Sequence, residues 1–200
     1  MLRRLLLFCL VIAVCFLVPR VPWLVAWDRW AVEALAASRD AGLNRFFRFF
    51  SAIGGTGGFL VLFFLPVGYF LARRRIATAA WYFFGVGILK LSVSLLKILV
   101  ARPRPPDGME VLTTLSMPSG HAANAVFMFG VLGVFFCRMI SARVLRVFSV
   151  ALCLLAIFCI DLSRVYLGVH YPSDVVLGSL YAAAGLWVLQ GLRRDLFDFA

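Results

Sequence analysis

Acid and histidine are what this chain has least of. Nine Asp and Glu stand against twenty Lys and Arg in 200 residues, and there are two histidines. Charged residues of every kind make up 14%, about half the share of a soluble domain, while hydrophobic residues reach 64%. A soluble fold is excluded, and the chain reads as an integral membrane protein. Polar and apolar positions do not alternate over stretches of about ten residues, which excludes a closed β-barrel. No acidic cluster suited to a hard cation occurs. The five cysteines (Cys9, Cys15, Cys137, Cys153, Cys159) lie in or beside apolar stretches without metal-ligand spacing, so they read as small packing residues. The run Gly54-Gly55-Thr56-Gly57-Gly58 lacks the Lys-Ser/Thr of a phosphate-binding loop and reads as a flexible lead-in to a helix.

What is present is a series of long apolar runs, as a bilayer core about 30 Å thick requires. Helices are expected near residues 5–24, 57–72, 76–100, 121–140, 144–164 and 174–192. The fold class is therefore all-α, with six transmembrane helices. The first run follows Met-Leu-Arg-Arg, but Pro19-Arg20-Val21-Pro22 replaces any small-residue cleavage site, so an uncleaved first span is expected. Between spans one and two, Trp23 to Ile53 mixes tryptophans and phenylalanines with arginines. An amphipathic helix lying in the interface is expected there, because five arginines and three acids between residues 20 and 48 weigh against a seventh span.

The arginines punctuate the apolar runs instead of forming a basic face, which argues against nucleic acid as a partner. Arg3-Arg4, Arg73-Arg74-Arg75, Arg138/Arg143/Arg146 and Arg193-Arg194 all fall inside if both termini are cytoplasmic. An even number of spans also puts the connection between spans three and four on the same side as that between spans five and six. The first holds Ser116-Met117-Pro118-Ser119-Gly120-His121, and the second runs from Ser163 to Asp174 with His170. Both histidines are thus expected at one membrane face.

The polar set on that face is Lys97, Arg102, Arg104, Ser119, His121, Arg164, His170 and Asp174. Guanidinium forks match phosphate oxygens, and the Ser119-Gly120 turn opening a helix offers unpaired N–H groups. Asp174 lies four residues after His170, one turn away on the same face if the last span begins there. It can then fix the imidazole tautomer and leave the other nitrogen free to attack, while His121 supplies a proton to the leaving oxygen. Taken singly, each residue has a plainer reading: Asp174 as a first-turn acid, Pro118-Ser119-Gly120 as a turn, interfacial arginines as snorkelling side chains. None of these explains why both histidines, the surplus cations and a carboxylate gather on one face.

Lys97-x6-Arg104-Pro105, Pro118-Ser119-Gly120-His121 and Ser163-Arg164-x5-His170-x3-Asp174 resemble, in order and at full spacing, the three-part signature of the type 2 phosphatidic acid phosphatase superfamily, the lipid phosphate phosphatases. The resemblance covers about residues 55–190 of a single membrane-embedded domain, 1–200. It implies that Lys97, Arg104, Arg164, Ser119 and the backbone at Gly120 hold the phosphate. It further implies that His170 forms a phosphohistidine oriented by Asp174, that His121 protonates the leaving group, and that no metal or other cofactor takes part.

The expected substrate is a membrane lipid carrying a phosphate or pyrophosphate: undecaprenyl pyrophosphate, phosphatidylglycerophosphate, phosphatidic acid or a lipid A phosphate. A bacterial inner-membrane enzyme with its site on the periplasmic or outer side is expected. A lipid phosphotransferase using the same intermediate and a transporter are the alternatives. Arg102 is expected to touch either the phosphate or a headgroup, and Lys90 or Lys97 to pair with Asp161, an acid inside a span.

Overall fold

The structure, a computed structural model, describes residues 1–193. Among the described residues it is built of α-helices, without strands. They are α1 (Leu2–Leu17, extended by the short turn Val18–Arg20), α2 (Pro22–Ala37), α3 (Ala41–Gly54), α4 (Thr56–Ala72) and α5 (Ile76–Val100), then α6 (Gly120–Ala125), α7 (Val131–Met139), α8 (Arg143–Tyr166) and α9 (Pro172–Leu192). A widened turn, Val126–Gly130, joins α6 to α7.

Among the described residues, five stretches are long and apolar enough to cross a bilayer: Leu2–Arg20, Ile76–Val100, Gly120–Met139, Arg143–Tyr166 and Pro172–Leu192. The sixth passes only as the pair α3 and α4, which meet at 45°. Arg194, expected inside, lies outside the described residues. The single interfacial helix expected between Trp23 and Ile53 is two helices. Asp40 breaks the run: in extended backbone, its carboxylate accepts from the N–H of Gly42 at 2.7 Å and of Leu43 at 3.0 Å, which caps α3. Neither helix lies free, since α2 buries Asp28 and Val32, and α3 buries Phe47 and Ser51 against α8.

The core forms around α9, whose small residues let other helices come close. Ala182 is fully buried, and Gly185 faces Leu89 of α5. Tyr181 shares a hydrogen bond of 2.5 Å with Ser92 of α5. Leu91, Leu95, Ile98, Leu154 and Phe158 point outward from the bundle, as lipid-facing residues do. All five cysteines are free; Cys15 and Cys153 pack inside, whereas Cys9 and Cys137 are exposed.

Helix α5 stops where Ala101 takes left-handed backbone (φ 55, ψ 32), its N–H returning to the Lys97 carbonyl at 2.9 Å. Arg102-Pro103 follows, and a residue before proline disfavours helix. The chain then crosses the end of the bundle as a loop to Ser119. The α8–α9 connection lies at the same end, joined to that loop by Met109 N–H donating to Leu167 O at 2.8 Å.

Candidate active site

His170 sits one residue before the N-cap of α9 and is buried. Its backbone N–H donates to the Arg164 carbonyl at 3.2 Å, so the end of α8 fixes where the ring stands. Helix α9 begins at Pro172, after His170, so the two side chains do not share a helical face as the spacing suggested. Asp174 instead reaches back as a first-turn acid: Oδ2 accepts the Tyr171 N–H at 2.9 Å and lies 3.4 Å from His170 Nδ1. The same oxygen accepts the Ser116 hydroxyl.

The other ring nitrogen, Nε2, is 3.0 Å from Arg104 NH1. A guanidinium can only donate, so Nε2 is the unprotonated nitrogen and Nδ1–H faces the carboxylate. Burial pushes the imidazole well below its ordinary range, to about 3, against the opposing pull of Asp174. The ring is neutral, and its Nε2 lone pair is turned towards Arg104.

The cations are held by carbonyls, hydroxyls and one carboxylate. Arg104 donates to Thr114 O (2.6 Å), Thr114 Oγ1 (2.9 Å) and Val169 O (2.5 Å). Lys97 Nζ donates to the Leu115 and Ser116 carbonyls at 2.8 and 2.9 Å. Arg164, fully buried, donates to Ser51 Oγ and, at 3.1 Å, to Glu110; its Nε has no partner among the described residues. Burial and then the neighbouring Arg164 lower the Arg104 guanidinium from its usual value. Cations that disfavour one another in this way make a site short of anions, and a phosphate would supply them.

The Pro118-Ser119-Gly120 turn is fastened to α9, because Ser119 N–H donates to the Asp174 carbonyl at 2.9 Å. Ser119 Oγ caps α6 by accepting the Ala122 N–H. One residue into α6, the half-buried His121 ring lies over the α3–α4 turn: a Cβ placed on Gly55 would be 3.7 Å from its Nε2. Asn124 ties α6 to the same turn, donating to Gly54 O at 2.9 Å. Nδ1 and Nε2 of His170, the cations and the α6 N-terminus therefore belong to one connected site.

Two expectations are corrected. Arg102 is neither exposed to headgroups nor placed among the phosphate cations. The left-handed Ala101 turns it inward, where NH2 meets Asp28 Oδ2 and NH1 meets Asp174 Oδ1, each at 2.7 Å. Asp161 pairs with neither lysine. It faces α9 and accepts from Ser179 Oγ at 2.7 Å, while Lys90 turns towards α4, over the Phe59 ring at 5.5 Å. Lys97 turns to its two carbonyls.

The sequence reading also missed Asp28, Glu110, Ser51, Ser116 and Ser173. An acid in a Trp-rich helix was a weak signal for Asp28. Glu110 and Ser116 lie in the loop between α5 and α6, which has no periodicity to read, and Ser51 and Ser173 are single serines within α3 and α9 whose partners lie far off in the sequence.

A crystal structure described as the first transmembrane PAP2 type phosphatidylglycerolphosphate phosphatase from Bacillus subtilis superposes with a TM-score of 0.84 at 21% identity, covering 98% of both chains. The Aquifex aeolicus LpxE crystal structure gives a TM-score of 0.59 at 25% identity, over 80% of this chain and 92% of that one. A lipid A 4'-phosphatase of Bacteroides thetaiotaomicron is 34% identical over 115 residues, 52% of this chain and 48% of that protein. The chain thus spans about half the length of that curated relative. The family model of the PAP2 superfamily matches residues 78–197, which take in all three motifs and more than half of the chain, and the protein belongs to that superfamily.

Proposed function

We propose that this protein is an integral-membrane lipid phosphate phosphatase working through a phosphohistidine on His170. The observation that carries the reading is the setting of that ring: Nδ1–H faces Asp174, and Nε2 faces Arg104. Lys97, Arg104, Arg164, the Ser119 hydroxyl and the N–H at Gly120 would take the phosphate oxygens, with Lys97 and Arg104 exchanging carbonyl partners for a stronger charge-assisted acceptor.

Nε2 then attacks phosphorus, forming the N–P bond as the P–O bond to the lipid breaks. His121 gives its proton to the departing oxygen, and Asp174 balances the positive charge growing on the His170 ring. In the second half His121 takes a proton from water. The hydroxide so formed attacks phosphorus, the N–P bond breaks, and phosphate leaves with His170 neutral again. No step calls for a metal.

The relatives' names, a lipid A 4'-phosphatase and a phosphatidylglycerolphosphate phosphatase, support a lipid as substrate, and the candidates we propose are undecaprenyl pyrophosphate, phosphatidylglycerophosphate, phosphatidic acid and lipid A phosphates. The arginine pattern supports cytoplasmic termini and a site on the outer face of a bacterial inner membrane, in one unit spanning residues 1–200. Phosphate release from a detergent-solubilised panel of those four lipids, with and without chelator and vanadate, is the test. Turnover is expected to survive chelator and to stop in His170→Ala, which should form no phosphoenzyme. Normal turnover by that variant would overturn the mechanism. Replacing Lys97, Arg104 or Arg164 should weaken vanadate binding by about 1.5 to 3 kcal/mol each.

A further inference from the structure

We propose that Asp28, acting through Arg102, is a positioning residue for the Asp174–His170 pair, which makes α2 part of the catalytic apparatus. The inference rests on the phosphohistidine reading above.

Asp28 is fully buried although it belongs to a helix at the end of the bundle. Its Oδ2 takes Arg102 NH2 at 2.7 Å and the Ser173 hydroxyl at 2.5 Å, and its Oδ1 takes the Ser173 N–H at 3.0 Å. Arg102 NH1 closes the ring on Ser173 Oγ at 2.8 Å and on Asp174 Oδ1 at 2.7 Å. The guanidinium also lies over the Tyr171 ring, 4.3 Å from its centroid. Arg102 is thus clamped between two carboxylates and an aromatic face, and Asp174 Oδ1 is pinned by a group that cannot itself turn.

Attachment of α2 does not require this. Val32 already packs against a cluster of Ala122, Val165, Tyr171 and Val175. Burying charges costs free energy, and apolar replacements of buried ion pairs are often as stable or more so. An expensive triad beside the nucleophile is better explained by what it does to Asp174.

It does two things. It fixes the carboxylate rotamer, so that Oδ2 stays towards His170 Nδ1. It also balances charge: one guanidinium between two carboxylates leaves a net negative charge for the ring that turns positive when Nε2 bonds to phosphorus. Without the Asp28 charge, Arg102 would bear on Asp174 alone, and Asp174 would stabilise that ring less.

The test is a double-mutant cycle on the single-turnover rate of phosphoenzyme formation, in the full-length protein. Its probe is the member of the lipid panel that the wild type hydrolyses fastest. Asp28→Asn, nearly isosteric, should slow that step by about tenfold or more. Its vanadate affinity should stay within about twofold of wild type, because the phosphate-holding residues are untouched. In an Asp174→Asn background the Asp28→Asn change should add less than about twofold, since the residue through which it acts is already disabled. Ser173→Ala, which removes the shared hydroxyl, should repeat the pattern and serves if Asp28→Asn does not fold. A wild-type rate in Asp28→Asn, a loss confined to vanadate binding, or an equal loss in the Asp174→Asn background would overturn the inference alone. A wild type that hydrolyses no panel member, or forms no phosphoenzyme, would overturn the phosphohistidine reading and this inference with it.

Discussion

Gly178 of α9 lies directly against the backbone of Ser119: a Cβ at position 178 would stand 2.5 Å from the Ser119 carbonyl oxygen and 3.1 Å from its nitrogen. The absent side chain is what lets the Ser119 N–H reach the Asp174 carbonyl at 2.9 Å. Both sides of the contact are backbone, so neither can swing aside. Gly178→Ala should displace the turn that opens α6, cost about 1 to 3 kcal/mol of stability by overpacking, and lower kcat by up to about a hundredfold through misplacement. Gly133→Ala is the control, since its Cβ would make an ordinary contact, 3.7 Å from Cys153 Cβ. Equal turnover in the two variants would show that the close approach at Gly178 does not position the turn.

Stability should depend on pH through His170, whose ring burial holds at about 3. An unfolded chain protonates the same ring near 6.5. Between those values the unfolded state binds more protons, so the contribution is fully present above about pH 6.5 and is lost as pH falls towards 3. The slope is at most about 1.4 kcal/mol per pH unit for one group. Melting temperatures of wild type and His170→Asn, measured from about pH 7 down to pH 4, should therefore converge as the pH falls. Parallel curves would mean that the ring is solvated.

Much of the fold was open to sequence reading because membrane helices announce themselves by apolar length. The third span was expected at 76–100, and α5 runs Ile76–Val100. Parity put the two histidine-bearing loops at one end, where the Ser119–Asp174 backbone bond joins them. What escaped depends on direction, which composition does not carry. Arg102 and Arg104 look alike in Ala101-Arg102-Pro103-Arg104, yet the left-handed turn at Ala101 sends one to Asp28 and the other to His170. Asp28 escaped because a charge in a Trp-rich helix reads as facing water. Its burial is decided by a partner 74 positions further on.

Glu110 should weaken anion binding. Its carboxylate, 32% exposed, lies 3.1 Å from Arg164, one of the cations assigned to the phosphate. A phosphate reaching Arg164 must displace that carboxylate or share the guanidinium with a like charge. Partly exposed pairs are worth no more than about 1 kcal/mol, so Glu110→Gln should tighten vanadate inhibition by roughly fivefold at most. Weaker inhibition in this variant would show instead that Glu110 holds Arg164 in its binding position.

Asp161 offers the sharpest contrast between what a sequence suggests and what packing decides. An acid inside a span is expected to find a cation, because an ionised carboxylate away from water is costly. Here Oδ2 accepts from Ser179 at 2.7 Å, and Oδ1 is buried without a hydrogen-bond partner among the described residues. Asn at this position keeps an oxygen for Ser179 and gives up the charge. If no cation balances Asp161, Asp161→Asn loses no ion pair and sheds a desolvation cost. Its melting temperature should then equal or exceed that of wild type, with turnover unchanged, since among the described residues Asp161 bonds to Ser179 and not to His170. Had Lys90 or Lys97 been the partner, the same substitution would leave a buried lysine uncompensated, a loss of about 3 to 5 kcal/mol. A melting temperature several degrees below wild type would therefore restore the ion pair, and an unchanged or higher one removes it.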